Sequence, residues 1–154
     1  MTLKLPAQQP GQQGAGRLVT ISVGFGLHTF TRERLPGDAP GTAYEDSRET
    51  RTFCEIRYGE SLRLPSIVQG LPGTHCMFAK HENFVQIQAG LKCYAVFFNV
   101  MRRRQDGPDE AMLFVQSAYL LDPGKSRPDH GRIRFDRLVE LILAGTQPRP
   151  PQRR

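Results

Sequence analysis

Apolar residues are most concentrated in two stretches of the second half of the chain. Lys92 to Val100 reads Lys-Cys-Tyr-Ala-Val-Phe-Phe-Asn-Val, and Ala111 to Leu121 reads Ala-Met-Leu-Phe-Val-Gln-Ser-Ala-Tyr-Leu-Leu. β-Branched and aromatic residues dominate both, which favours strands covered on one side and partly on the other. Between them lies a segment that contains Gly, Pro and Asp. We therefore predict two neighbouring antiparallel strands.

Two shorter β-prone runs precede this pair, at Cys76 to Ala79 and Phe84 to Gln88, around the polar bend at 80–83. The four runs predict an antiparallel meander at about 75–79, 83–88, 92–101 and 111–121. After a Pro/Gly-rich loop, apolar residues recur at helical spacing from Phe135 to Ile142, and Gly145 is a stop signal. The sequence thus predicts a C-terminal helix.

In the first half of the chain, apolar and polar residues alternate less clearly. Leu18 to Gly24 and Leu27 to Thr31 predict a β-hairpin with glycines at its bend. Asp46, followed three places later by Glu49, is typical of a helix start and predicts a helix over about 47–58, with Phe53 and Ile56 facing inward and Tyr58 as a further candidate for that face. Pro65 suits the first turn of a second, short helix that ends at Gly70 or Gly73.

These elements predict an α+β domain: a four-stranded antiparallel meander packed on helices, with an N-terminal β-hairpin and a C-terminal helix. Residues 1–16 are rich in Gln, Gly and Pro, so we expect a disordered N-terminal segment. Residues 17–145 then form a single domain. Prolines and arginines in 146–154 predict a flexible basic tail.

The net charge of +6 suggests a polyanion partner, but the charge is unevenly placed. The two ends hold four bases and no acids, which leaves 17 bases against 15 acids between Arg17 and Gly145. Any polyanion must therefore be bound by local clusters or by the tail. No apolar run approaches the ~20 residues that cross a bilayer, so we expect a cytoplasmic protein with no membrane partner.

The cysteines and histidines do not predict a metal site. Cys54, Cys76 and Cys93 show no CxxC spacing and lie in apolar or amphipathic runs, which is typical of reduced core cysteines. His28, His75, His81 and His130 are scattered singly, whereas zinc sites usually show close-spaced ligand pairs. We predict no metal and no cofactor.

Candidate chemistry begins with the predicted helical region, where Arg51, Arg57 and Arg63 accompany Tyr58. Such arginines commonly form a solvated helix face. The sharper hypothesis is that Arg57, which has no acid four residues later, offers its planar donors to a phosphate. On the last strand, simple alternation places Ser117 and Tyr119 on the same side as Leu113 and Val115. They either face water or help to hold an anion.

Two further groups are candidates for binding or proton transfer. Lys80 and His81 lie at a bend between strands, and an imidazole titrates near neutrality, so His81 is a candidate acid/base unless it is an ordinary loop histidine. Arg102, Arg103 and Arg104 follow the central strand. They form either a solubilising hairpin end or, with the tail, a site for phosphate backbones.

The order of these elements, with strands that read Tyr94-x-Val96-Phe97-Phe98 and Val115-x-Ser117-Ala118-Tyr119, resembles the barnase, EndoU, colicin and RelE type of small ribonuclease domain carried by phages and mobile elements. The resemblance covers roughly Arg48 to Asp122. It implies RNA cleavage without a metal, in a toxin-like protein, by attack of the ribose 2′-OH on the adjacent phosphate. It also implies Arg57 as the phosphate-stabilising residue, His81 as the acid/base, and Ser117 with Tyr119 as a polar pair.

The chain departs from this pattern at the helix, where Arg57 and Tyr58 stand in place of the histidine that many such domains carry. Two alternatives therefore remain open. The protein is a non-specific nucleic-acid binder that uses Arg51, Arg63, Lys80, the triple arginine and the basic tail, or it is a non-catalytic interaction, accessory or inhibitor protein of a mobile element with a protein partner. An exposed apolar patch would favour the last of these.

Overall fold

The protein is built mainly of β-strands. The structure is a computed structural model that describes residues 1–5, 16–79, 83–89, 92–103, 110–121 and 131–150. Its strands are β1 (Thr2–Leu5), β2 (Arg17–His28), β3 (Thr31–Glu33), β4 (Ala43–Glu45), β5 (Thr50–Phe53), β6 (His75–Phe78), β7 (Asn83–Ala89), β8 (Lys92–Arg102), β9 (Glu110–Leu121) and β10 (Arg132–Arg134). Its α-helices are α1 (Glu55–Ser61), α2 (Leu64–Gln69) and α3 (Phe135–Leu143).

Seven of the strands form one mixed sheet, in the order β1-β2-β9-β8-β7-β6-β10. β8 and β9 pair antiparallel along almost their whole length, from Cys93 opposite Leu121 to Arg102 opposite Ala111. The pairing predicted for the two most apolar runs is therefore confirmed. β2 pairs parallel with the other side of β9, from Thr20 opposite Glu110 onward.

The predicted fold class, a four-stranded antiparallel meander packed on helices, is wrong. The four predicted strands are the inner part of a seven-stranded mixed sheet, which β2, β1 and β10 extend at its two edges. The error arises at Gly24 and Gly26, which do not form the bend of a hairpin but lie within the continuous strand β2. A Cβ atom at either position would lie 3.0 to 3.2 Å from the Phe114 ring, so these glycines let that ring pack flat on β2.

The first residues are also more ordered than predicted. Leu3 and Leu5 in β1 are almost completely buried and pair opposite Val19 and Arg17 of β2. Two buried leucines in a four-residue strand offset enough ordering entropy to fix this end of the chain. The remaining part of the predicted disordered segment, 6–15, lies outside the described residues, as does 151–154 of the predicted basic tail.

The helix predicted over 47–58 is wrong in its first half. Asp46 is not a helix cap: its carboxylate accepts from the backbone N–H groups of Arg48 and Glu49 in the turn between β4 and β5. Thr50 and Thr52 then form a strand, as β-branched residues favour. Strands β3, β5 and β4 make a second, three-stranded antiparallel sheet, and helix α1 begins only at Glu55.

The main core lies on one face of the large sheet, which we call the core face. Its buried residues come from the strands and from α2 and α3, and include Tyr94, Val96, Phe98, Leu113, Val115, Leu64, Val68, Phe135, Leu138 and Val139. α2 begins with Pro65 in its first turn and ends at Gly70, and α3 is followed by Gly145 with φ 76°. Both helix predictions are confirmed, and together the helices cover the core face.

A β-bulge at Gln116 decides which side chains reach the opposite face, which we call the second face. Phe97 pairs with Ser117 and Phe98 with Val115, so Gln116 is an extra residue in β9. Val115 and Ala118 both belong to the main core, whereas Tyr119 packs with Phe97 and Ala95 on the second face. The prediction that Ser117 and Tyr119 share a side with Leu113 and Val115 is therefore wrong, because it assumed an unbroken alternation.

Candidate functional site

The second face carries a row of stacked aromatic rings. Phe84, Phe97 and Tyr119 come from the adjacent strands β7, β8 and β9, with ring centroids 5.2 Å and 5.5 Å apart and nearly parallel planes. Phe84 and Phe97 are buried, whereas Tyr119 is half-buried at the β9 end of the row. This row fixes the Tyr119 ring beside the end of β2.

His28, the last residue of β2, stands directly opposite Ser117 of β9. Paired residues of neighbouring strands project to the same face, so His28 joins Ser117 and Tyr119 on the second face. Neighbouring strands lie about 4.8 Å apart, and residues two apart in a strand are separated by about 6.6 Å. The imidazole and the two hydroxyls therefore start from backbone positions within about 8 Å of each other.

The side chain of Arg57, in α1, reaches the end of β2 and the Tyr119 ring. One of its terminal nitrogens donates to the backbone carbonyls of His28, at 3.1 Å, and Thr31, at 3.0 Å. Its guanidinium carbon lies 5.5 Å from the centre of the Tyr119 ring. Three residues singled out from the sequence, Arg57, Ser117 and Tyr119, are thus gathered at one place, where Arg57 fixes the end of β2 and brings a positive charge to the second face.

A chain of hydrogen bonds holds the His28 ring. Its Nε2 atom lies 2.5 Å from a carboxylate oxygen of Glu49, and the other oxygen accepts from Arg51 at 2.9 Å. Arg51 also donates to the Thr31 hydroxyl, at 2.9 Å, and that hydroxyl donates to the Leu27 carbonyl. With the carboxylate as acceptor, Nε2 carries the proton and Nδ1 presents a lone pair. The arrangement is a carboxylate–histidine pair.

Hydrogen bonds keep the Glu49 carboxylate ionised. The hydrogen bond to His28 and the one to Arg51 lower the pKa of Glu49 below its usual range. Arg51 is only 8% exposed and is therefore enclosed with its partners, whereas the His28 and Glu49 side chains are 38% and 36% exposed. The buried part of the network is thus structural, and the imidazole at its end remains open to solvent.

Asp38 stabilises the small sheet that contains Arg51 and that Glu49 immediately precedes. Its carboxylate accepts two hydrogen bonds from Arg32, at 2.6 and 2.8 Å, and one each from the Thr52 hydroxyl and the Leu35 backbone N–H. The Arg32 hydrogen bond is the largest cause of a pKa for Asp38 well below its usual range. The small sheet therefore depends on an ionised Asp38.

We expect the stabilisation by ionised Asp38 to be lost at acidic pH. Because the folded-state pKa of Asp38 is lowered, its stabilisation is present above the unfolded-state pKa of about 4 and disappears as the pH falls through the folded-state value. Asp38→Asn should therefore lower the urea midpoint at pH 7. The difference between the urea midpoints of the variant and the parent protein should become smaller between pH 5 and pH 2. Glu45→Gln, at an exposed position of β4, is the control. A difference that stays constant over this range would contradict the assignment.

The other predicted binding residues lie elsewhere. Arg63 pairs with Glu60 and lies 5.9 Å above the ring of Tyr94, whose pKa burial raises to about 12. Arg102 ends β8, and the backbone N–H of Arg103 donates to Glu110 beside it. Lys80, His81 and Arg104 lie outside the described residues. The predicted roles of all these residues stay predictions.

His28 and Glu49 were not recognised from the sequence as a site. Glu49 was assigned to a helix cap, and His28 was one of several single histidines. The β-branched and aromatic residues Thr50, Thr52 and Phe53 are the signal that a strand begins after Glu49. Their meeting, however, joins residues 21 positions apart through a sheet pairing that only the structure reveals.

Within the described ranges, no group of three His, Cys, Asp or Glu side chains is placed to hold a metal ion. None of the described helices is long and apolar enough to span a membrane. The three cysteines are free thiols; Cys76 and Cys93 are buried and Cys54 is half-buried.

Comparison with known proteins places the whole fold in one family. Neither the curated proteins nor the solved structures gave a significant match. The model of the YjaZ family, in contrast, matches residues 2–143, which include β1 at one edge of the large sheet, the three-stranded sheet and helix α3. The matched region covers nearly the entire chain, and the protein belongs to the YjaZ family.

Proposed function

We propose that the protein cleaves RNA without a metal, at a site formed by His28, Arg57, Ser117 and Tyr119. The observation that supports this most is the His28–Glu49 pair, in which a carboxylate orients a partly exposed imidazole. His28 pairs with Ser117 in the sheet, two residues before Tyr119, and its backbone carbonyl accepts from Arg57. An oriented imidazole takes up and releases a proton near neutral pH. This proposal keeps the activity that the sequence suggested and moves its acid/base group from His81 to His28.

In the proposed reaction, the ribose 2′-oxygen attacks the adjacent phosphorus. Nδ1 of His28 accepts the 2′-OH proton as the new oxygen–phosphorus bond forms, and the bond from phosphorus to the 5′-oxygen breaks. The Tyr119 hydroxyl donates a proton to that leaving oxygen. Solvent then returns a proton to Tyr119 and takes the added proton from Nδ1 of His28, so both groups regain their starting state. The product ends are a 2′,3′-cyclic phosphate and a free 5′-hydroxyl, so the step needs no external redox or metal partner.

Arg57 is the proposed source of positive charge for the pentacoordinate phosphate. Among the described contacts, its hydrogen bonds use a single terminal nitrogen, which leaves the other edge of the guanidinium for phosphate oxygens. The Ser117 hydroxyl, between His28 and Phe97 in the sheet, supplies a further donor. Preorganised donors of this kind stabilise charge that develops in the transition state.

The test is cleavage of a single-stranded RNA in EDTA. We expect Arg57→Ala to lower the rate by about 10²-fold or more, since one lost transition-state donor costs about that much, and Arg57→Lys to retain part of it. Arg137→Ala, an exposed arginine of α3, is the control and should cleave like the parent protein. Thermal melting of each variant separates a lost charge from a lost fold. Unchanged cleavage by a folded Arg57→Ala protein would contradict the proposed role.

A second candidate function is protein binding, which the exposed apolar residues of the α1 region favour. Ile56 is 72% exposed and Leu62 is 65% exposed, and Tyr58 between them is 47% exposed. Tyr58 and Leu62 are four residues apart and lie on one side of α1, and exposed apolar side chains that are close together often mark an interface. If this surface is the functional one, a stoichiometric partner should co-purify with the protein and be lost from Ile56→Ser and Leu62→Ser, while RNA remains intact in EDTA.

A further inference from the structure

Four aromatic rings form a second row, on the three-stranded sheet beside the proposed cleavage site. Phe30 contacts Tyr44, Tyr44 contacts Phe53, and Phe53 contacts Tyr58 of α1, with ring centroids 5.2, 6.2 and 5.4 Å apart. We call these four residues the aromatic row. Tyr44 is 42% exposed and Tyr58 is 47% exposed, so the two tyrosines on either side of Phe53 present open ring surface to solvent.

Each part of the aromatic row is tied to the proposed site. Tyr44 is the strand partner of Arg51, and Phe53 is the strand partner of Thr31, so the rings share a face of the small sheet with these two residues. Tyr58 follows Arg57 in the chain, and Phe30 lies two residues after His28. Tyr44 and Phe53 therefore lie on the same face of the small sheet as Arg51 and Thr31, which belong to the hydrogen-bond network around Glu49.

Positive charge accompanies the aromatic row at its Tyr58 end, where Arg57 precedes Tyr58 in α1. Arg48, whose side chain is 76% exposed and 3.6 Å from Asp46, lies in the turn that joins β4, the strand of Tyr44, to β5. Open aromatic faces beside a cation match a ligand in which planar rings alternate with phosphates, because every nucleobase has a face that stacks on an aromatic side chain. A duplex keeps its bases stacked inside and cannot offer those faces.

We infer that the aromatic row binds the bases of single-stranded RNA and thereby selects unpaired RNA for the proposed site. This inference rests on the proposed function for its cleavage part, but the binding is separable. Stacking is worth enough per base that loss of one tyrosine ring should weaken binding about 5- to 150-fold. The leading nucleotides would lie along Tyr58, Phe53 and Tyr44 while the scissile phosphate meets Arg57.

The test is binding of a fluorescent single-stranded 12-nucleotide RNA, 2′-O-methylated so that the proposed attack cannot occur. We expect Tyr58→Leu and Tyr44→Leu to raise the Kd about 5- to 150-fold. Phe25→Leu, at an equally exposed aromatic of β2 outside the aromatic row, should leave it unchanged. The same sequence as a duplex should bind more weakly than the single strand and be insensitive to the tyrosines.

Failure of the two proposals would look different. Three results would overturn the inference on the aromatic row. The parent protein does not bind the single strand, Phe25→Leu raises the Kd as much as the tyrosine substitutions do, or the duplex binds more tightly than the single strand. Binding that depends on Tyr44 and Tyr58, with intact RNA in EDTA, would support the row as an RNA-binding surface and reject cleavage. Cleavage that prefers single strands and is weakened by Tyr58→Leu supports both.

Discussion

His28→Ala should abolish most RNA cleavage, with a rate loss of about 10²- to 10⁴-fold at neutral pH, the usual contribution of a positioned acid/base group. The imidazole is partly exposed, and Arg51 still pairs with Glu49 when the ring is removed, so the variant should fold. Initial rates on one RNA in EDTA, measured from pH 5 to pH 9, give the comparison. The rate that remains should stay low across this whole range.

His75→Ala is the matched control for this experiment. His75 is an exposed histidine of β6, four strands away from β2 in the large sheet. We expect its variant to cleave like the parent protein over the whole pH range. Glu49→Gln should give an intermediate loss, because the amide still accepts a hydrogen bond but carries no charge to stabilise an imidazolium. Equal activity of the folded His28→Ala and His75→Ala proteins would remove His28 from the mechanism.

Phe98→Ala should cost about 3 to 5 kcal/mol of unfolding free energy, which is a large part of the 5 to 15 kcal/mol typical of a domain. Phe98 is fully buried on the core face, and its ring packs edge-on against Phe135 of α3, with centroids 6.2 Å apart. Its removal leaves a cavity between β8 and α3 that close-packed neighbours fill only partly. Urea unfolding followed by circular dichroism measures the loss.

Met101→Ala on the same strand is the comparison for Phe98→Ala. Met101 is 47% exposed, so we expect its truncation to change the unfolding free energy by about 0.5 kcal/mol or less. Both substitutions place alanine in β8 and so alter strand propensity in a similar way. The difference between their unfolding free energies therefore reports the contribution of burial on the core face. If Phe98→Ala lowers the unfolding free energy no more than Met101→Ala does, the helices do not cover the core face.

Local patterns were enough to predict the elements that are locally determined. The apolar runs of β8 and β9 pair as their composition predicts, and Pro65, Gly70 and Gly145 bound α2 and α3 as short-range capping rules predict. The parallel pairing of β2 with β9 joins residues about 90 positions apart and leaves no local signal. Gly24 and Gly26 gave a false signal for a hairpin bend. The sequence does not distinguish a glycine that makes room for a neighbouring ring from a glycine in a turn.

The candidate site was predictable in its residue types but not in its assembly. Ser117 and Tyr119 are candidates because polar groups in an apolar strand need a partner or a function, and Arg57 is one because it has no acid four residues later. The structure gathers all three. The face on which two of them lie depends on one extra residue, Gln116, which no periodicity in β9 announces. His28 reaches Glu49 only because a turn, rather than a helix, follows Asp46.

The nature of the RNA ends tests the central claim most directly. The parent protein is incubated with a defined single-stranded RNA in EDTA, and the products are analysed by mass spectrometry. The account predicts fragments that end in 2′,3′-cyclic phosphate with matching free 5′-hydroxyls, produced by the parent protein and by His75→Ala but not by His28→Ala. RNA that stays intact at micromolar protein, or fragments with 5′-phosphate ends, would contradict it.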